Sequence, residues 1–170
     1  MPTDRRSTPP TIRLLPEGIG MSSTVLVPID GSPLSVRALR HAFRKFPDGE
    51  VVAYHVVDLF DPGHGDESFV DAPSVYEPMM GTDEWYGAVE ESTDRLFAEV
   101  EEVAEEYDRS VTTESDIGDP ARLVVEYATE EDVDHVVIGA HGRPDERRTI
   151  YGSVSETVVR RVPVPITVVR

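Results

Sequence analysis

The sequence predicts an α/β fold, a single open parallel sheet of five strands with helices on both faces. Two observations predict it: short β-branched apolar runs alternate with segments of helical periodicity, and the order along the chain is βαβαβαβαβ. Parallel neighbours require crossover connections, and those crossovers cover both faces of the sheet. A length of 170 residues suits one compact domain.

The five predicted strands are short runs rich in valine and isoleucine. They comprise residues 24–29, 51–57, 111–115, 133–138 and 166–169. Runs of this length and composition are typical of buried strands, and the third is the weakest of the five.

Four helices are predicted between these strands. Pro33 begins the first, Asp119 and Pro120 supply the N-cap and first residue of the third, and Ser153 and Glu156 stand at capping-box spacing before the fourth. The second is a long acidic helix. Their inward positions, at helical spacing, are Val36, Leu39, Phe43 and Phe46; Val89, Leu96, Val100, Val103 and Tyr107; Leu123, Val124 and Tyr127; Val158, Val159 and Val162.

Two segments fall outside this pattern. Residues 1–20 contain four of the fourteen prolines and no clear period, which predicts a disordered N-terminal extension before a single domain over residues 21–170. Residues 58–82 form a loop whose length predicts either a functional lid or a disordered insertion.

Composition excludes several classes of function. The chain has no cysteine, so disulfides, thiolate metal sites and cysteine nucleophiles are excluded. No apolar run approaches the roughly 20 residues of a membrane helix, and residues 1–20 lack the apolar core of a secretory signal. A net charge of −17 argues against nucleic acid as a partner. We therefore expect a soluble cytoplasmic protein with no membrane or nucleic-acid partner.

The charge is unevenly distributed. Residues 58–108 hold seventeen acids against Arg95 alone, and Lys45 is the only lysine of the chain. A solvated acidic face is favoured over a cation store, and a halophilic proteome would show such a surface throughout. Beyond Gly142 the balance reverses, with six arginines against three acids. That local excess of positive charge predicts an anionic ligand.

Two strand ends carry the candidate site. In an open α/β sheet the ligand lies beyond the carboxyl ends of the strands, where the strand order reverses. The first end runs from Pro28 to Ser32, and the second runs from Ile138 to Gly142 and is followed by Gly152. Glycines allow close approach of a ligand to the backbone, and a helix N-terminus offers free N–H groups to phosphate. Together these features predict a phosphate site.

Plainer interpretations of the same residues remain open. Gly139 and Gly142 are loop glycines in one of them, Ser153 only caps its helix, and Asp30 forms an Asx-turn that caps the helix at Pro33. The conjunction of these residues at two strand ends favours a ligand site. His55 and His135 fall inside strands and are interpreted as structural. No residue is assigned as a catalytic group or a metal ligand, and neither a Walker loop nor a Rossmann glycine motif occurs.

The spacing Gly139-x2-Gly142-x9-Gly152-Ser153 resembles the nucleotide motif of the ATP-binding universal stress proteins. Further segments resemble that family in order and separation: VLVPIDGS at 25–32, HVV at 55–57, GDPARLVVEYA at 118–128 and the closing VPITVVR. The resemblance covers residues 21–170. It implies an adenine nucleotide alpha-hydrolase-like fold with strand order 3-2-1-4-5, and a homodimer that pairs through the last strand.

The resemblance also implies a set of nucleotide-binding residues. Pro28, Asp30 and Val56 would hold the adenine and ribose. Ile138, Gly139 and Gly142 would line the nucleotide, and Gly152, Ser153, Val154 and Ser155 would bind the phosphates. The implied ligand is ATP, or ADP or AMP, and Mg²⁺ or Mn²⁺ could arrive with its phosphates.

A dimeric, cytoplasmic, nucleotide-binding regulator of the stress response is the function that these observations favour. The alternatives are a weak ATP hydrolase or adenylyl-transferring enzyme of the same fold, and a dimerisation module with a vestigial pocket. A regulator is favoured because no lysine stands at the phosphate end and no general base can be assigned to an attacking water. Fold alone does not decide between these functions.

Overall fold

The computed structural model describes residues 23–58, 81–141 and 152–170 of the chain. These residues form a five-stranded sheet of order β3-β2-β1-β4-β5 in which every pairing is parallel. The strands are β1 (Thr24–Ile29), β2 (Glu50–Asp58), β3 (Thr112–Gly118), β4 (His135–Gly139) and β5 (Ile166–Val169). The predicted fold class and strand order are confirmed.

The described residues form four helices, each of which follows a strand. They are α1 (Pro33–Lys45), α2 (Asp83–Glu105), α3 (Pro120–Glu130) and α4 (Ser153–Arg161). The predicted starts at Pro33 and Pro120 are confirmed, since proline at the first helical position needs no hydrogen-bond partner for a missing N–H.

Strands β1 and β5 have the bounds that the sequence predicts. Strand β2, predicted as residues 51–57, is one residue longer at each end, and β3 and β4 also differ. Strand β3 extends to Gly118 rather than to residue 115, because it pairs in parallel with β2 from Val52 to Asp58. Strand β4 begins at His135 rather than at residue 133. Pairing with β2 thus lengthens β3, the strand whose own sequence signal is the weakest.

Alternate side chains of the strands point into two apolar layers. Helices α1 and α2 pack on one face, where Val25, Val27 and Val137 contact them. Helices α3 and α4 pack on the other, against Leu26 and Val136. Both faces of the central strands are therefore buried, which is why these strands are continuous apolar runs rather than alternating ones.

Two arginines fasten the end of α2 to its surroundings. Arg40 of α1 forms a two-pronged hydrogen bond with the Glu106 carboxylate, and this bond lowers the pKa of Glu106. The Arg109 guanidinium donates to backbone oxygens after α1, including Phe46 O at 3.2 Å, and lies 5.7 Å from the centre of the Phe43 ring. The acidic helix is thus held against α1 by the few cations near it.

The edge strand β3 is attached to the α3 layer through tyrosines. The buried Tyr54 hydroxyl donates to Asp116 Oδ2 at 2.8 Å, and its ring lies 4.6 Å from that of Tyr127. Burial and this hydrogen bond raise the pKa of Tyr54. Two aromatic rings and an acid on β3 therefore close the outer end of this layer.

The predicted N-terminal extension at 1–20 and nearly all of the loop 58–82 lie outside the described residues. None of the helices in the described ranges combines the length and the apolar character that a membrane span requires.

Helix α2 generates a prediction about salt. Its exposed carboxylates repel one another, and at its C-terminal end they also face the negative end of the helix dipole, with no basic residue in the last turn. Salt should therefore raise the melting temperature, mostly below about 1 M KCl, because the screening length falls from about 10 Å at 0.1 M to about 3 Å at 1 M. Thermal melts in a KCl series measure this.

A variant with Glu101→Gln, Glu102→Gln and Glu105→Gln is the matched control. It should melt higher than the wild type in low salt and respond less to KCl. Stabilisation that continues at multimolar KCl would support adaptation to a saline cytoplasm. A melting temperature that stays flat from low to multimolar KCl would contradict both effects.

Candidate functional site

The first predicted strand end is a tight turn from β1 into α1. The Ser32 N–H donates to Asp30 Oδ1 at 2.9 Å across Gly31, whose φ of 78° is a conformation that favours glycine. The Ser32 hydroxyl in turn accepts from the Ser35 N–H at 3.3 Å and caps α1. The Asx-turn interpretation of Asp30 is confirmed, but the residue that caps the helix is Ser32.

The sheet brings this turn next to the end of β4. Strand β1 pairs with β4 in parallel, with Val25 opposite His135, so Ile29 and Gly139, each four residues further on, lie level. Helix α1 leads from β1 to β2 on one side, whereas β4 lies on the other, so the strand order reverses here. The two predicted strand ends therefore meet at the position where open α/β sheets bind ligands.

Gly139 is the last residue of β4 rather than a loop residue, so the loop-glycine interpretation of this residue is wrong. A Cβ atom at Gly139 would lie 3.0 Å from both the carbonyl carbon and Cβ of Leu34, and 3.1 Å from its oxygen. Real Cβ contacts are rarely that short. The missing side chain therefore lets the first turn of α1 pack directly against the end of β4.

The start of α4 is tied to the same strand end. The Gly152 N–H and the Ser155 hydroxyl both donate to the Ala140 carbonyl oxygen, each at 2.7 Å. Gly152 is the N-cap and Ser153 is the first helical residue, so the predicted capping box is wrong by one position. Ser153 is consequently exposed and does not cap the helix.

Helix α4 differs from the other described helices in its cap. Ser32, Thr82 and Asp119 each accept a backbone N–H of their own helix through a side-chain oxygen. Gly152 has no side chain, and the Glu156 N–H is the first to bond within the helix, to Gly152 O at 2.9 Å. The first three N–H groups of α4, at Ser153, Val154 and Ser155, thus lack an intrahelical acceptor. Such a helix start attracts anions.

Three further predicted residues lie within β1, β2 and β4, towards the carboxyl ends of these strands. Pro28 is half-buried in β1, and Val56 and Ile138 contribute to the apolar layer under α3 and α4.

The His55 Nδ1–H donates to Ile29 O at 2.8 Å, at the end of β1, and His135 Nε2 lies 2.8 Å from Thr167 Oγ1. Both histidines are hydrogen-bonded within the sheet, as their structural interpretation predicts.

The arginines of the last segment are spread over several places. Gly142, Arg143, Arg147 and Arg148 lie outside the described residues, so their predicted roles are untested. Arg160 pairs with Glu156 at 2.8 Å in the last turn of α4, at the opposite end from the open N–H groups. Arg170 directly follows β5, and the Val169 carbonyl accepts the Ala140 N–H at 2.8 Å. Among the described arginines after residue 142, Arg170 therefore lies at the carboxyl edge of the sheet, which carries the candidate site.

Metal-ligating side chains do not assemble in the described ranges 23–58, 81–141 and 152–170. No three histidine, aspartate or glutamate side chains come together there in an arrangement that could hold a metal ion.

A parallel sheet of order 3-2-1-4-5 with helices on both faces defines an open α/β domain of the doubly wound type. The family model described as "Universal stress protein family" matches residues 21–170. A universal stress protein of Methanocaldococcus jannaschii is 30% identical over 160 residues, which cover 92% of this chain and 87% of that protein. The chain belongs to the universal stress protein family.

Solved structures of this family share the fold. The universal stress protein UspA of Lactobacillus plantarum superposes with a TM-score of 0.66 at 24% identity, covering 87% of this chain and 97% of that one. A universal stress protein in complex with cAMP gives 0.59 at 21% identity, covering 87% and 97%. One from Arabidopsis thaliana with AMP bound gives 0.55 at 17% identity, covering 86% and 90%. At these identities the likeness establishes the architecture.

The contact between Gly139 and Leu34 predicts the effect of a single methyl group. Gly139→Ala should lower the free energy of unfolding by about 1–3 kcal/mol, since the backbone of α1 must shift to make room. Urea unfolding measures this. Gly87→Ala is the matched control, because Gly87 lies inside α2 with nothing within 4 Å of its Cβ position. That control should stabilise the protein by about 0.5–1 kcal/mol. Equal stability of Gly139→Ala and the wild type would contradict the packing role.

Proposed function

We propose that this protein binds an adenine nucleotide, ATP, between the ends of β1 and β4 and acts as a dimeric regulator in the cytoplasm. The observation that carries the proposal is the start of α4, which has no side-chain cap and is hydrogen-bonded to Ala140 directly after β4. Three backbone N–H groups and the positive end of a helix dipole lie where the strand order reverses. This arrangement suits an anionic ligand in a protein that is otherwise strongly acidic.

The phosphates are proposed to lie at this helix start. Ser153, Val154 and Ser155 offer backbone N–H groups there, and the exposed Ser153 adds a hydroxyl. Gly152, whose own N–H is bonded to Ala140 O, is proposed to let the phosphates approach the backbone of this helix start because it has no side chain. Gly142 is proposed to complete the site from the adjoining loop. Mg²⁺ or Mn²⁺ is proposed to arrive on the phosphates, because such ions are bound largely through phosphate oxygens and water.

The nucleoside is proposed to lie across the end of β1. Asp30 is half-buried directly after the strand, and a carboxylate there can accept hydrogen bonds from ribose hydroxyls or the adenine amino group. Pro28 and Val56 are proposed to supply apolar surface. Ile138 and Gly139 are proposed to line the nucleotide through their backbone, since Ile138 is buried and the side-chain position of Gly139 lies against Leu34. The complexes of relatives with cAMP and AMP support an adenine nucleotide as the ligand, since both ligands contain adenine, ribose and phosphate.

Regulation is favoured over catalysis by the charges near the site. Lys45 is the only lysine of the chain, and it lies in the last turn of α1, at the opposite edge of the sheet from the open N–H groups. Analysis of nucleotide released from freshly purified, denatured protein separates the functions. Bound ATP supports a regulator, bound ADP supports a hydrolase, and the absence of nucleotide supports a vestigial pocket.

Calorimetry with ATP, ADP and AMP tests the orientation of the ligand. Gly152→Val should abolish binding of ATP while the circular dichroism stays unchanged, because its side chain stands at the helix start. Asp30→Ala should weaken all three nucleotides equally, by about 10- to 100-fold, through loss of hydrogen bonds to a charged acceptor. Asp30→Asn separates the carboxylate's ligand role from the turn, since its amide oxygen still accepts the Ser32 N–H.

Wild-type affinity in Gly152→Val would contradict the phosphate site. A defect of Asp30→Ala that appears only with ATP and Mg²⁺ would instead make Asp30 a metal ligand.

The homodimer is proposed to form through β5. All four residues of β5 are half-buried, and the strand lies at an edge of the sheet. The carbonyls of Pro165 and Val169 accept the N–H groups of Val136 in β4 and of Ala140 directly after it. By alternation, the backbone of Ile166 and Val168 therefore faces the open edge. A twofold-related copy would pair with this edge and cover it.

Replacement of one outward N–H tests this pairing. Val168→Pro should yield a monomer in light scattering while the fold is retained, because proline removes a donor only from the open edge. Val168→Thr keeps the donor and should remain dimeric. A dimeric Val168→Pro variant, or a monomeric wild type, would refute the proposed interface.

A further inference from the structure

The hydroxyl of Ser155 is hydrogen-bonded to carbonyl groups inside the protein. Its Oγ lies 2.7 Å from Ala140 O and 3.0 Å from Gly152 O, and both carbonyls can only accept. A serine hydroxyl has one proton, so this proton is shared between the end of β4 and the N-cap of α4. The side chain is also buried, with 4% of Ser155 exposed.

This geometry conflicts with a direct role for the Ser155 hydroxyl in phosphate binding. A phosphate oxygen that lacks a proton needs a donor, and the Ser155 donor already serves Ala140. Ser153, two residues earlier, is exposed at the same helix start. The two serines therefore differ in what they can offer to a ligand.

We propose that Ser155 is a positioning residue for the phosphate end of the nucleotide. This inference rests on the proposed function. The Ser155 hydroxyl and the Gly152 N–H both donate to Ala140 O, and together they hold the first turn of α4 against the end of β4. The open N–H groups are then aimed before the ligand arrives. Preorganised donors bind more tightly because little conformational freedom is lost on binding.

The positioning role predicts a selective loss of affinity. Ser155→Ala should weaken ATP by about 3- to 10-fold, the effect of one hydrogen bond, and leave adenosine unchanged. Adenosine has no phosphate and does not depend on the start of α4. In the ligand-free protein, the amides of the first turn of α4 should exchange with deuterium faster than in the wild type, because the turn has lost its tie to β4.

Two further variants isolate the hydroxyl. Ser155→Thr keeps a hydroxyl at the same position and should restore both the ATP affinity and the slow exchange. Thr157→Ala is the matched control, since the Thr157 hydroxyl donates at 3.0 Å to Ser153 O within α4 and makes no tie to β4. It should bind ATP within twofold of the wild type. Calorimetry with ATP and adenosine, and exchange in the ligand-free chain, provide the measurements.

The outcomes separate this inference from the proposed function. ATP affinity unchanged by Ser155→Ala overturns the positioning role alone. Lost affinity with unchanged ligand-free exchange also overturns it, because the hydroxyl then contacts phosphate directly. A Ser155→Thr variant as weak as Ser155→Ala, with normal melting, shows that the hydroxyl is not responsible. A wild type that binds no adenine nucleotide overturns the proposed function and, with it, this inference.

Discussion

The parallel pairing of β1 with β4 is the constraint on which the candidate site depends. These strands are remote in sequence, yet Val25 stands opposite His135, and β1 also pairs with β2 on its other side. The crossovers of the two halves of the sheet therefore diverge from this pair. The Asp30 turn after β1 and Gly139 and Ala140 at the end of β4 therefore share the carboxyl edge of the sheet. Without this pairing, the turn after β1 and the end of β4 would not lie at a common edge of the sheet.

The last residues of β4 support two helices at once. Gly139 has no side chain where Leu34 of α1 packs, and the Ala140 carbonyl accepts from Gly152 and Ser155 at the start of α4. The packing contact sets the position of one helix and the hydrogen bonds set the other. The same strand end thus positions both helix starts. Of these two helices, α4 is the one without a side-chain cap. This difference is the reason why we propose that an anion binds at the start of α4.

Features with local causes could be predicted from the sequence. The starts of α1 and α3 depend on proline at the first helical position, and β1 and β5 on short runs of branched residues, so their bounds agree with the structure. The family motifs predict the strand order as well. The capping box predicted at Ser153 and Glu156 is wrong for α4, because Gly152, which is bonded to Ala140, is the N-cap. The contact of Leu34 with Gly139 joins segments that are distant in sequence, so no local sequence pattern predicts it.

The central claim is that the open start of α4 receives the phosphates of an adenine nucleotide. The most direct measurement is an NMR titration of ¹⁵N-labelled protein that follows the backbone amides of Ser153, Val154 and Ser155. Saturating ATP should shift these three amides strongly, whereas adenosine should shift residues around Asp30 and leave the three nearly unchanged. ATP binding that perturbs residues elsewhere while these amides stay in place would contradict the account.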